Sequence, residues 1–308
     1  MQGYEALRED AAWLDLSARG RLRATGDDRV RLLHAMCTNH IEQLTPGQGC
    51  PAFFLNPQGH ILAAAFILKF ADALSIDTEP ETRQSLYEHL DRYIIADDVT
   101  LEDTTAATVE LGIEGPHSAR VIESLGAPVP PAPYAHADWN GIAVIRFDAV
   151  GVEGFALVGP AGERDALIAR IEAAGAPAAS ADAARVVRIE HGLPRYGEEI
   201  TARDLPHETQ RLEAVHFQKG CYIGQEIVER VRSRGGVHRY LVPLEVEGAA
   251  PLPPESKLEA GGKQVGELAS SAWSPARGKV VALGYVRLDE IPSGAALSAA
   301  GRAVRIVA

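Results

Sequence analysis

Lys219-Gly220-Cys221-Tyr222-Ile223-Gly224-Gln225-Glu226 is the most informative stretch of the chain. Two glycines flank a cysteine closely, and behind them Ile227, Val228 and Val231 recur at helical spacing. A helix is therefore expected to begin just after the thiol. Lys219, Arg230, Arg232, Arg234 and Arg239 outnumber Glu226 and Glu229 by three, a cationic island in a chain whose formal net charge is −12. A thiol so placed is expected to be nucleophilic or redox-active, because a helix N-terminus and nearby cations both stabilise the thiolate. A lone cysteine is also commonly a small buried hydrophobe, so residue chemistry by itself leaves both readings open.

Working outward, the 308 residues are 46% hydrophobic and 23% charged, enough apolar surface to offset chain entropy, which excludes a disordered chain. The length fits one large domain or two to three modest ones. Asp and Glu number 42 against 30 Lys and Arg, so nucleic-acid binding, which relies on neutralising phosphates, is a poor expectation. Cys37, Cys50 and Cys221 include no CxxC pair, so neither a disulfide framework nor a metal ligand set is read from them, and a reducing, cytoplasmic compartment is expected. The start of the chain lacks a basic segment followed by an apolar run, as a secretory signal would have. The longest apolar run, 61–68, is far short of the ~20 residues of a spanning helix, so no membrane association is expected.

Periodicity gives the organisation. Arg21–Thr25 reads as a strand, followed by a helix capped by Asp27 or Asp28 with Val30, Leu33 and Cys37 on one face. The apolar runs 51–55 and 61–68 around Asn56-Pro57-Gln58-Gly59 read as a hairpin. A strand over 73–78 leads to a helix begun at Pro80, with Leu86, Leu90, Tyr93 and Ile94 as its apolar stripe. Strands are expected over 108–114 and 141–147, and helices over 116–125, 161–174 and 182–191, with a proline-rich connector at 126–133. From Val237 the texture becomes short strands and tight turns, a small β-barrel. The expected division is 1–235, holding two α/β subdomains, and 236–308, the barrel, giving an α+β chain overall.

A second segment, Arg188-Ile189-Glu190-His191-Gly192-Leu193-Pro194-Arg195-Tyr196-Gly197, crowds charged and aromatic residues at a helix end stopped by Gly192 and Pro194. Alone it reads as a solvated helix terminus. Cys37, on an apolar face, and Cys50, beside a turn, read as structural.

Together these segments resemble the YgfZ-type folate-binding proteins, relatives of the glycine-cleavage T-protein, an aminomethyltransferase. The 219–226 octapeptide resembles that family's K-G-C-Y-x-G-Q-E signature, and the 188–197 run its R-x-E-x-G-x-x-x-Y-G segment. Leu32-Leu33-His34, Thr38 to Gln48, Phe54 to Leu62, Gly112 to Pro116 and Ser270 to Pro275 are similar to further family stretches, so the resemblance spans nearly the whole chain.

The resemblance implies a GcvT-like multidomain folate-binding fold with a C-terminal β-barrel around a central folate-sized hole. It implies a bound tetrahydrofolate or one-carbon derivative, held at the pterin by Glu190, with Tyr196 stacking on the ligand and Arg230, Arg232 and Arg239 meeting its anionic tail. Cys221 would be the functional thiol. T-proteins carry an acidic pair after the matching hairpin, one member of it catalytic; here Ala63-Ala64 stand instead. The implied role is therefore support of iron–sulfur cluster assembly or repair, with a cluster carrier or client enzyme as partner. A T-protein-like aminomethyltransferase is the alternative.

Overall fold

The structure is a computed structural model that describes residues 1–291 and 295–307. In chain order the elements of its first part are α1 (Tyr4–Glu9), β1 (Ala12–Asp15), β2 (Gly20–Thr25), α2 (Arg29–Met36), β3 (Gln48–Leu55), β4 (Ile61–Lys69), β5 (Leu74–Thr78), α3 (Arg83–Asp91) and β6 (Thr100–Asp103). There follow β7 (Thr108–Glu114), α4 (Ser118–Ser124), β8 (His136–Trp139), β9 (Ile142–Ile145), β10 (Gly154–Pro160), α5 (Arg164–Ala173), α6 (Ala181–Glu190) and α7 (Gln225–Arg234). The last part is β11 (Tyr240–Val246), β12 (Lys257–Ala260), β13 (Lys263–Ser274), β14 (Lys279–Val286), β15 (Leu297–Ala299) and β16 (Arg302–Ile306).

Two five-stranded antiparallel sheets form, in the orders β3-β4-β5-β2-β6 and β1-β7-β10-β9-β8. Each has a core of its own: Leu22, Phe54, Ile67 and Ile76 with Leu33 and Leu86 from α2 and α3 in one, and Leu111, Ile113, Phe155 and Leu157 with Ile122 and Ile171 from α4 and α5 in the other. The sheets meet through Phe66, Leu68, Ile145 and Ala156. β11–β16 close into a six-stranded barrel, β16 returning to β11, which leaves no unpaired edge. Helix α6 bridges the parts. Ser180 caps its start by accepting from Ala183 N at 3.2 Å, and its apolar stripe of Ala183, Val186 and Val187 packs between α1 and Leu241, Ala272, Val281 and Leu283 on the barrel's outer face.

The expected hairpin, with its strong apolar runs, forms as β3–β4. Other expectations shift. The helix after Pro80 ends at Asp91, leaving Tyr93 exposed beyond it. The strand expected over 141–147 is β9, and it pairs with β8 through Asn140 and Gly141, both at positive φ as a tight hairpin turn needs. Strands β1, β8 and β10 and helix α1 are elements beyond those expected; β1 and β8 span only four residues each.

Candidate functional site

A cavity of about 110 Å³ opens where both sheets meet the segment between α6 and α7. The pleat of β3 and β4 aims Phe53, Ala64 and Phe66 into it, and the chain after β9 adds Phe147 and Asp148. The 191–214 stretch adds Tyr196, Arg211 and Glu213. Phe66 and Phe147 lie 4.5 Å apart between ring centroids, with Tyr134 5.8 Å from Phe66, so one wall is aromatic. A larger cavity of about 500 Å³ lies behind and shares Arg19, Glu79, Ala149, Arg188 and Arg195 with the first as a common wall.

That wall is a belt of paired charges. Arg19 donates to Asp77 at 2.6 Å and to Glu79 at 2.5 Å, and its guanidinium lies 5.3 Å from the Phe147 ring centroid. Arg188 grips Glu199 through two bonds of 2.8 and 2.9 Å, the fork geometry suited to a carboxylate. Arg195 bonds Glu79 and Glu81. Burial pushes Glu79 up, but Arg19 and Arg195 outweigh it and hold the carboxyl below its ordinary value. Asp148, facing the first cavity, goes the other way: burial raises it, and Arg211 offsets only part. At the mouth stands Glu213, half exposed and paired with Arg211.

The sequence-derived residues separate. Tyr196 lines the cavity, its hydroxyl donating to Ile61 O at 3.4 Å. Glu190 does not. Residues two apart on a helix point about 200° apart, so the turn of α6 that aims Arg188 at the cavity aims Glu190 at α1. There its buried carboxylate accepts from the Tyr4 hydroxyl and lies 3.2 Å from Arg8 Nε. The three expected arginines are absent from the cavity too. Arg230 is exposed on α7, and Arg232 stacks over Phe217 at 4.6 Å. Arg239 is held by Asp204 at 2.7 Å, Glu208 at 3.0 Å and the Tyr285 ring at 4.4 Å, beside the barrel. The cations that do line the first cavity are Arg19, Arg188, Arg195 and Arg211. Sequence reasoning missed Arg211 and Glu213; the charged pair directly ahead of the apolar Ala214-Val215 is the signal that could have found them.

Cys221 is exposed and lies outside the cavity lining, whereas Cys37 is buried and Cys50 half-buried. Burial pushes both inner thiols up, Cys50 to about 12. Lys219 turns inward: its ammonium donates to His34 O and, at 2.6 Å, to Cys37 O, neutralising carbonyls at the C-terminal end of α2. Tyr222 packs with Phe53 and Tyr196, so one layer of side chains separates the octapeptide from the cavity.

With this geometry in place, the class is defined by comparison. Residues 1–219 match the GCVT N-terminal domain and residues 239–308 the glycine cleavage T-protein C-terminal barrel domain, and the chain belongs to this aminomethyltransferase-like family. It is 29% identical over 297 residues to the Arabidopsis thaliana protein named "Putative transferase At1g60990, chloroplastic", covering 93% of this chain and 67% of that one. It is 27% identical over 290 residues to an aminomethyltransferase of Rubrobacter xylanophilus, covering 92% and 78%. In fold it is similar to the crystal structure of aminomethyltransferase T of the glycine cleavage system from Bartonella henselae, with a TM-score of 0.90 at 20% identity over 100% of this chain and 88% of that one. No helix among the described residues is long and apolar enough to cross a membrane.

Proposed function

We propose that the chain is a folate-binding member of this family, of the YgfZ type. It binds tetrahydrofolate or a one-carbon derivative in the central cavity and supports iron–sulfur cluster assembly or repair through Cys221, with a cluster carrier or client enzyme. The observation that carries the reading is the side chain at position 64. Ala64 offers the cavity a methyl group within the pair that corresponds to the T-protein acidic pair, and a methyl group can neither take a proton nor steady a developing cation.

The cavity chemistry fits a folate. Phe66, Phe147 and Tyr196 offer flat faces to a pterin and its aminobenzoyl ring. The Glu213 carboxylate can accept two parallel N–H bonds from the pterin edge, and Arg211 beside it can meet a carboxylate. When bound, the folate supplies a carrier for one-carbon units; the residues here bind it, orient it and exclude water. A stable cluster needs about four thiolates, and Cys37 lies in the core, so the cluster resides on the partner.

Titration of tetrahydrofolate against thermal unfolding tests the binding. A ligand at about 100 times its Kd stabilises the folded state by ~2.7 kcal/mol, so Tm rises by several degrees, and Glu213→Ala reduces the rise. No rise in the intact protein overturns the reading. For the thiol, Cys221→Ala is introduced into cells lacking the protein; full recovery of a cluster-dependent enzyme removes Cys221 from the mechanism. The second reading, aminomethyl transfer, is favoured by Asp148, a raised carboxyl facing the cavity. Formation of methylene-tetrahydrofolate from an aminomethyl-lipoyl carrier would establish it.

A further inference from the structure

Beside the octapeptide, and apart from the cavity, lies a cluster that neither reading uses. His34 is on the last turn of α2, and His40 and Glu42 follow in the loop behind it. One ligand-type atom from each of the three lies within 4.8 Å of the others, and His34 Nε2 is 3.9 Å from Glu42 Oε2. The His34 and His40 rings are 4.6 Å apart, and His216 stands edge-on to His40 at 5.1 Å. Two atoms bound to one metal at ~2.0–2.2 Å each are at most about 4.3 Å apart, so small side-chain rotations bring all three onto one ion.

We propose that His34, His40 and Glu42 bind one divalent transition-metal ion of the iron(II) or zinc(II) class, with Cys221 at the open side of that ion. Two imidazoles and one carboxylate form a ligand set that both ions accept and that leaves positions free for an outside ligand. A second observation points the same way. His34 is 92% buried, being 8% exposed, with its Nε2 turned toward Glu42, and the enclosed Nδ1 of His40 has no hydrogen-bond partner, which leaves that nitrogen free to take a ligand. The octapeptide is fastened over this cluster: Lys219 bonds the carbonyls of His34 and Cys37, and a Cβ built on Gly220 would lie 4.0 Å from His34 Nε2. The residue next to Cys221 therefore borders the site. Cys221 follows one residue on from that backbone contact, exposed at the surface, which makes its thiolate the candidate outside ligand. The metal site stands apart from the folate reading and shares with it only Cys221.

The test is anaerobic titration of the metal-stripped full chain with Co²⁺, as a coloured stand-in, and then with Fe²⁺ and Zn²⁺. One equivalent is expected, with a thiolate-to-cobalt charge-transfer band. His40→Ala and Glu42→Gln each weaken binding by roughly tenfold or more, while the exposed control His117→Ala leaves it unchanged. Cys221→Ser removes the charge-transfer band and keeps the stoichiometry. Glu42 is half exposed, so Glu42→Gln should melt at the wild-type temperature without metal, which separates lost ligation from lost folding. Absence of saturable binding, or unchanged affinity in His40→Ala and Glu42→Gln, overturns the site. A charge-transfer band that survives Cys221→Ser overturns the thiol's part. The folate-induced Tm shift, measured on the same variants, should be intact, so failure of one proposal is read independently of the other.

Discussion

The three cysteines differ by environment. Cys221 is exposed, while burial holds Cys50 at about 12 and Cys37 above its ordinary value in the core. Alkylation of the native protein at pH 8 should therefore modify one thiol quickly, and mass mapping should find it at 221. Rapid labelling at 50 or 37 would contradict these burials. Glu114 is a buried carboxyl that accepts from Ala149 N, at 3.2 Å to each oxygen, and burial raises it well above the usual range despite the backbone N–H groups of Ala149 and Val150. Because the raised value belongs to the folded state, the folded chain holds the proton after the unfolded chain has released it. Stability from this group is thus intact below the unfolded carboxyl range near pH 4.3 and is lost as pH rises through the folded value. Glu114→Gln should raise Tm at pH 7 by a few degrees and leave it unchanged near pH 4. A gap of equal size at both pH values would mean that packing, not ionisation, sets the difference.

At the scale of elements, the octapeptide works as a clasp. Gly224 starts α7 at φ +83°, and a Cβ there would lie 2.7 Å from Asn56 O and 3.0 Å from Leu55 Cβ in the β3–β4 turn. Gly224→Ala should cost roughly 1–3 kcal/mol in backbone strain and more from that contact. Gly126→Ala, also at positive φ but with open space around it, reports the strain alone. Equal Tm losses in the two variants would show that the clasp is not tight. The same elements explain what was legible. The hairpin and α6 were readable because long periodic runs record which face is buried. Strands β1 and β8 span four residues each, too few to record a period, and β10 buries Phe155, Ala156 and Leu157 in succession, so it shows no alternation. Tyr196 was named only through the family resemblance, since its segment alone reads as a solvated helix terminus, and Arg211 and Glu213 flank a single tight turn, Leu212–Ala214, where spacing carries no directional meaning. Glu190 was named through the resemblance; about half a turn of helix separates it from Arg188, so α6 turns it toward α1.

In the molecule as a whole, one apolar cluster runs from Tyr4 and Leu7 on α1 through Val187 on α6 to Leu283 and Tyr285 of the barrel. The barrel is thereby fused to the part that holds the cavity, and scanning calorimetry should record one cooperative transition. Leu7→Ala, at a fully buried site on α1, should lower that single transition by the equivalent of about 2–5 kcal/mol rather than split it. Two resolved transitions would show that barrel and sheets melt separately.

The position of α1 in that cluster also bears on how the chain is made. The Tyr4 hydroxyl lies against Glu190 and accepts from Ala276 N at 3.3 Å, so α1 cannot complete its packing until residues as far along the chain as the barrel have emerged from the ribosome. Contacts this distant in sequence form late and leave apolar surface waiting. Until the barrel strands are made, the nascent chain carries an undocked α1 whose buried face, Tyr4 and Leu7, is left waiting.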